Sequence, residues 1–222
     1  MTVVGPLEIR TFTAPGFGQN AYLVRSRDGK GVVAVDPGGE AAGMAAAIEA
    51  EGLSLEAVLL THAHVDHIEG VAELVRRFGA PVYLHPADRP LYERAAEQAA
   101  FFGMQVVPPP PVDHELEHGQ ELRFDGCQLE VRHVPGHSPG HVIFYSADAG
   151  VAFVGDVVFM GSIGRTDLPG GDYRQLMQSI REQVLTLPDN TVLYPGHGPA
   201  TTVGHERVSN PFLIPLYGGG FA

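Results

Sequence analysis

The chain has 222 residues, 44% of them hydrophobic and 18% charged, enough apolar material to bury about 70% of its unfolded surface in one large domain or two small ones. A formal net charge of −12 argues against nucleic acid and anionic membrane as partners, and the single cysteine, Cys127, excludes an intramolecular disulfide or a cysteine-rich zinc module. No apolar run approaches the roughly 20 residues that cross a bilayer, and the start, Met-Thr-Val-Val-Gly-Pro-Leu-Glu, lacks the basic and apolar regions of a secretory signal, so a cytoplasmic protein is expected.

In the first third, β-like runs at Leu7–Thr13, Ala21–Arg25 and Val32–Val35 are separated by the turn-forming stretches Ser26-Arg27-Asp28-Gly29 and Asp36-Pro37-Gly38-Gly39. Alanine-rich Glu40–Glu51, closed by Gly52, predicts a helix. Ala57–Leu60 is a short apolar strand, and a helix from about Ile68 to Phe78 stops at Gly79. Val82–Leu84 predicts a further strand and Ala87–Phe102 a further helical stretch, before the prolines at 108–111 mark a surface loop. Strands at Glu121–Phe124, Gln128–Val134, His141–Ser146 and Val151–Val154 come next. A helix at Tyr173–Leu185, a strand at Val192–Tyr194 and a short helix around Gly204–Val208 close the pattern. Two similar halves each combine a strand run with covering helices, and no linker divides them. The expectation is one α/β domain over 1–222, two β-sheets packed together with helices outside.

Within this pattern, Thr61-His-Ala-His-Val-Asp-His67 places four metal-capable side chains in six positions. His62 and His64 stand two apart, so on an extended backbone their imidazoles leave the same side and can converge on one ion. Asp66 and His67 follow on a segment that must turn, and so can aim at a second point. Three later residues share one kind of position, just past a β-like run and beside glycine or proline. They are His137 in Pro-Gly-His-Ser-Pro-Gly-His, Asp156 after Val151–Val154, and His197 after Val192–Tyr194. Histidine nitrogen and carboxylate oxygen are common zinc ligands and accept iron and manganese as well.

The order HxHxDH, then His, Asp and His, resembles the metallo-β-lactamase superfamily over nearly the whole length. The resemblance implies an αββα metallo-β-lactamase sandwich with a two-metal site along one edge. It implies two divalent ions, zinc first and iron or manganese as alternatives. One ion would take His62, His64 and His137; the other would take Asp66, His67 and His197; Asp156 would bridge them. A hydroxide held between the ions would be the nucleophile, with Asp66 orienting it as a catalytic residue.

Three further stretches narrow the resemblance to short glyoxalase II-type, hydroxyacylglutathione hydrolase-like enzymes: Gly161-Ser-Ile-Gly-Arg-Thr-Asp-Leu-Pro-Gly-Gly-Asp172, Tyr194-Pro-Gly-His-Gly-Pro199 and Asn210-Pro-Phe-Leu213. This implies a hydrolase whose partner is a small-molecule thioester such as S-lactoylglutathione, a reaction in which the thiolate leaves without a strong general acid. Arg165 stands where the longer glyoxalase II enzymes carry a glutathione-contacting lysine, which implies a substrate-binding role, with a surface salt bridge as the alternative. The helical C-terminal region of those enzymes has no counterpart here, and Asp167 and Pro199 replace tyrosines that contact glutathione. Within the same fold the alternatives are a persulfide dioxygenase with one iron on His62, His137 and Asp156, or a lactonase or other ester hydrolase. Gly196 favours the hydrolase, because in the dioxygenases an alanine usually precedes the equivalent of His197.

Gly136-His-Ser-Pro-Gly140 also matches the nucleophile elbow of serine hydrolases, but Val142–Tyr145 predicts a strand where that motif needs a helix. The histidines at 85, 114, 118, 133, 141 and 205 fall outside the ligand set, His141 nearest to it as a supporting neighbour. Cys127 reads as an inert buried thiol. Phe101, Phe102 and Met104 read as core, with a border of the substrate mouth as the alternative. The apolar tail Pro211–Tyr217 would pack on its own core or on a partner subunit, which leaves a homo-oligomer open.

Overall fold

The computed structural model describes residues 2–214, and its first sheet is laid down in chain order. β1 (Thr2–Val4), β2 (Leu7–Thr13), β3 (Asn20–Ser26) and β4 (Gly31–Val35) pair antiparallel through short turns. Parallel addition then begins, and parallel pairing requires a crossover. α1 (Ala41–Glu51) provides it for β5 (Ser54–Leu59), and α2 (Val65–Ile68) with α3 (Val71–Phe78) for β6 (Val82–Leu84). α4 (Arg89–Glu93) and α5 (Ala95–Phe101) precede the last strand of this sheet, β7 (His114–Glu115).

The second sheet opens as an antiparallel meander of β8 (Glu121–Phe124), β9 (Cys127–His133), β10 (Val142–Ser146) and β11 (Val151–Gly155). A small hairpin, β12 (Val158–Phe159) with β13 (Ser162–Ile163), and the helix α6 (Tyr173–Ser179) lead to β14 (Val192–Pro195), parallel to β11. β15 (Thr201–Thr202) and α7 (Val203–Ser209) finish this half.

Side-chain alternation along the strands makes three cores out of two sheets. Tyr22, Val24, Val33, Val35 and Leu59 meet Leu129, Val131, Phe144 and Phe153 between the sheets. The intervening residues Ala21, Leu23, Val32, Ala34 and Val58 pack under Met44, Ile48, Val71 and Leu74 of the first helical layer. Ile143, Ala152, Val154 and Leu193 pack under Leu176, Ile180, Val184 and Val203 on the far side. The layers are therefore αββα, as the resemblance implied, and strands such as β4, β10 and β11 are buried on both faces. Cys127 lies between the sheets, where burial pushes its thiol up to about 12, as befits an inert group. Leu213 of the apolar tail is buried in the outer core of the second sheet, while 215–217 lie outside the described residues. Among the described residues no helix is long and apolar enough to cross a membrane.

Two predicted helices are broken, each for a local reason. The helix expected over Ile68–Phe78 starts earlier, at Val65, and is interrupted at Glu69–Gly70. Gly70 donates its N–H to Pro37 O (2.9 Å), and a Cβ there would run into Ala41 and the Pro37 and Gly38 carbonyls, so the helix restarts where the backbones touch. The stretch expected over Ala87–Phe102 becomes a 3₁₀ turn at Pro86–Asp88 followed by α4 and α5. Arg94, at φ −99 and ψ 24, separates the two helices. Gly52 and Gly79 end α1 and α3 in the left-handed conformation, as expected. β1, β7, β12, β13 and β15 carry no hydrophobic run long enough to announce them. Phe144→Ala, in the shared core between the sheets, is expected to cost about 3–5 kcal/mol in chemical denaturation; a loss below about 1 kcal/mol would contradict the packing described here.

Candidate functional site

β4, β5, β11 and β14 all end at one edge of the sandwich, and the loop before β10 reaches the same edge. The two sheets are tied there through β3. Asn20 N–H donates to Gly196 O (2.7 Å), Asn20 Nδ2 donates to Pro195 O (3.2 Å) and Gly198 O (2.8 Å), and Tyr22 Oη donates to Pro195 O (2.5 Å). A Cβ on Gly196 would collide with Asp156 Oδ1 and His67, so only glycine lets β14 end this close to both.

Outer hydrogen bonds fix which nitrogen each imidazole presents. Thr61 Oγ1 donates to Asp36 Oδ2 (2.6 Å), so His62 Nδ1, 3.0 Å from the same hydroxyl, must donate to it and keep its lone pair on Nε2. His67 Nδ1 donates to Asp36 Oδ2 (3.0 Å), His137 Nδ1 to Arg165 O (2.7 Å) and His197 Nδ1 to Phe17 O (3.1 Å). Each of these rings therefore turns Nε2 inward, and His64 meets them with Nδ1, 2.9 Å from His137 Nε2.

The inward atoms form two groups. His62, His64 and His137 bring one nitrogen each within 4.8 Å of one another, and Asp66, His67 and His197 do the same with an oxygen and two nitrogens. Asp156 stands between the groups: Oδ1 is 3.3 Å from His67 Nε2, and Oδ2 is 3.6 Å from His137 Nε2 and 3.5 Å from His197 Nε2. Buried Nε2 of His62, Nε2 of His67 and Oδ1 of Asp156 have no hydrogen-bond partner, the contact between the last two being close but misaligned. Leaving such atoms unsatisfied costs roughly 1–3 kcal/mol each, and a cation shared among nitrogen and carboxylate donors removes that cost. The residues present therefore fit divalent metal ions. Asp36 also falls near His62 and His67, but its oxygens are already spent on Thr61 and His67 Nδ1, which makes it a support.

Electrostatics differ between the groups. Burial, reinforced by the neighbouring imidazoles, holds His62 well below the ordinary histidine range and His64 at about 3, so these two rings stay neutral and keep their lone pairs. Burial also opposes charge on His67 and His197, but Asp156 and Asp66 outweigh it and raise both. Asp156 and Asp66 are held below the usual carboxylate range, burial being overcome mainly by His67.

Sequence reasoning missed two carboxylates. Asp36 Oδ1 accepts from Thr61 N (2.7 Å), completing its hold on the His-rich loop. It is the single non-glycine residue at positive φ among the described residues (φ 48), and its place just past β4 was a usable signal, the same one that identified Asp156. Fully buried Asp88 accepts from Ala63 N (2.9 Å), Ser138 Oγ (2.7 Å) and Gly140 N (2.6 Å), joining the His-rich loop to the loop that carries His137. Nothing in its helix-like surroundings marked it. Ser138 is thus a structural donor, and β10 follows it rather than a helix. His141 supports the site, accepting from Asp156 N through Nε2 (3.1 Å) and stacking on His62 at 4.7 Å.

A cavity of about 620 Å³ opens over the donor atoms and is walled by Phe17, Phe101, Phe102, Phe159, Ile163 and Leu168. This corrects the core reading of Phe101 and Phe102, which are 81% and 44% exposed and border the mouth. They escape the core because α5 turns its buried face, Ala95 and Ala99, the other way. Arg165 is at the rim, but its guanidinium is held in a two-pronged pair by Asp167 (2.7 and 2.8 Å).

The sequence model of the metallo-beta-lactamase superfamily matches residues 14–197. The chain is 41% identical over 214 residues to hydroxyacylglutathione hydrolase GloC of Haemophilus influenzae, covering 93% of this chain and 98% of that protein. It is 42% identical over 196 residues to the probable metallo-hydrolase YqgX of Bacillus subtilis, covering 87% and 92%. Among solved structures, the BLEG-1 B3 metallo-beta-lactamase superposes with a TM-score of 0.87 at 40% identity, over 93% of this chain and 99% of that one. TTHA1623 in a di-iron-bound form gives 0.84 at 46%, over 92% and 100%. ETHE1 from Myxococcus xanthus, at 23% identity and 0.77 over 97% and 92%, shares the fold.

Asp36→Asn replaces one of two acceptor oxygens with a donor that faces Thr61 or His67. Affinity for added Zn²⁺, measured by chelator competition, should fall about 10–100-fold; an unchanged affinity would remove Asp36 from the support of the site.

Proposed function

The chain belongs to the metallo-β-lactamase superfamily, and from that premise we propose that it is a binuclear metal-dependent hydrolase of glyoxalase II type, cleaving a thioester such as S-lactoylglutathione. The observation that carries this reading is the pair of donor groups arranged about Asp156, with three buried atoms left unpartnered between them. His62, His64 and His137 would hold one ion, Asp66, His67 and His197 the other, and Asp156 would contact both. Divalent ions such as zinc or iron would lower the pKa of a water towards neutrality and polarise the thioester carbonyl. Asp66 stays ionised and therefore accepts; it can orient the attacking water by taking a hydrogen bond from it. Apolar walls line the approach to the donor atoms.

Two features support a thioester and two ions. A thiolate leaves without a proton, and Asp66 and Asp156 are both held too low to serve as acids. Gly196 keeps Asp156 and His67 in place, whereas an alanine, usual in persulfide dioxygenases, would displace one of them and disturb the second group. A second reading, β-lactam hydrolysis, is favoured by the 40% identity to BLEG-1. It needs the same residues plus a proton for the departing nitrogen.

Arg165 already gives Nε and Nη2 to Asp167, which leaves a substrate carboxylate only its Nη1 edge and a partly offset charge. Asp167→Ala should therefore lower the KM for S-lactoylglutathione while Arg165→Ala leaves it nearly unchanged; a large rise in KM for Arg165→Ala would restore Arg165 as a direct contact. His64→Ala and Asp156→Ala should each remove at least about 99% of thioester hydrolysis with the fold retained by circular dichroism. The functional reading is tested by metal counting on the purified protein together with assays on S-lactoylglutathione, nitrocefin and a persulfide. Two ions with thioester hydrolysis support it, and one iron with persulfide-dependent oxygen uptake overturns it.

A further inference from the structure

We propose that, among thioesters, this site prefers those with an apolar acyl group, alkyl or aromatic, packed against Phe17, Phe101 and Phe102, over the polar hydroxyacyl group of S-lactoylglutathione. The inference rests on the thioester-hydrolase reading and names the substrate class of that same site.

Three observations carry it. First, the wall of the cavity is apolar and continuous with the donor atoms. Phe17 accepts His197 Nδ1 through its carbonyl and meets Phe102 edge-on at 5.5 Å, and Phe102 meets Phe101 edge-on at 5.2 Å. On the opposite side Phe159 reaches the His197 ring at 6.0 Å. Exposed phenylalanines in such a chain, concave and ending on a buried polar centre, are what a small apolar ligand covers.

Second, the wall offers a peptide thiol two cations among the described residues, Arg94 and Arg165, so the acyl half carries the preference. Glutathione carries a γ-glutamyl and a glycyl carboxylate, and each must exchange water for a cation or a set of N–H donors. Arg165 is paired with Asp167 at the exposed rim, and Arg94 gives Nε to Pro90 O (2.9 Å) and shares its wall with the acid Glu97. Gln98 has already committed Nε2 to Ala63 O (2.9 Å) and Leu91 O (2.8 Å). Third, the volume of about 620 Å³ holds a medium alkyl chain or an aromatic acyl group with its thiol in place.

The reaction is a balanced hydrolysis. The oxygen of water bonds to the carbonyl carbon and the carbon–sulfur bond breaks. The acyl group departs as a carboxylate, sulfur takes one proton to become a thiol, and the other proton goes to solvent.

The experiment compares kcat/KM of the zinc-loaded protein for acetyl and octanoyl thioesters of N-acetylcysteamine and for S-lactoylglutathione. The octanoyl ester should exceed both others by about ten-fold or more, and Phe101→Ser with Phe102→Ser should erase most of that advantage through KM rather than kcat. A higher kcat/KM for S-lactoylglutathione, or a full octanoyl advantage in the double variant, overturns the proposal. Should no thioester be hydrolysed, the hydrolase reading fails by itself, and binding of non-hydrolysable thioethers decides the recognition question. Tighter binding of the octyl thioether of N-acetylcysteamine than of S-methylglutathione, weakened in the double variant, supports the apolar class. Equal or tighter binding of S-methylglutathione overturns it.

Discussion

Asp36 and Asp88 contribute nothing to the inward-facing donor set, yet they hold it together. The chain gathers five imidazoles and two carboxylates at one edge, and burial with the neighbouring imidazoles drives His62 and His64 far below their ordinary range. Three of the inward atoms lack partners of their own, so nothing among them fixes the geometry and the backbone must be pinned from outside. Asp36 does this within the first sheet, gripping Thr61 by main chain and hydroxyl and His67 by its ring. Asp88 does it between the halves, taking Ala63 from one loop and Ser138 and Gly140 from another. Each is a buried carboxyl group whose oxygens are taken up by several donors, the condition under which such a group is tolerated in the interior.

The division of the site between the sheets follows from the topology. His62, His64, Asp66 and His67 come from the end of β5 in the first sheet, and His137, Asp156 and His197 from the second. Neither sheet holds a complete group by itself, since His137 completes one and His197 the other. The grip of Asn20 and Tyr22 on the end of β14 therefore bears on chemistry as well as packing. The three cores make that grip rigid, because strands buried on both faces cannot slide without exposing apolar side chains on both.

Much of this was legible in the sequence because it depends on local pattern. The β-branched runs at Val32–Val35, Val142–Ser146 and Val151–Val154 became strands, and glycines 52 and 79 stopped helices. His62 and His64 did come to one place through their two-residue spacing, and Asp66 and His67 to another, because α2 begins at Val65 and turns them away. What stayed hidden depends on contacts distant in sequence. Asp88 joins Ala63 and Gly140, 25 and 52 residues away. Phe101 looked like core because a sequence shows hydrophobicity but not the face a helix turns inward. The substrate-binding expectation for Arg165 comes from its place in the resemblance, and only the fold shows Asp167 closed upon it.

The central claim is that the edge holds two ions, one in each group, with Asp156 reaching both. A crystal structure of the metal-loaded protein, with anomalous data collected at the absorption edge of the metal, tests it most directly. The account predicts two anomalous peaks, one among His62, His64 and His137 and one among Asp66, His67 and His197, with Asp156 in contact with each. A single peak on His62, His137 and Asp156, with His64 and the second group empty at saturating metal, would contradict it.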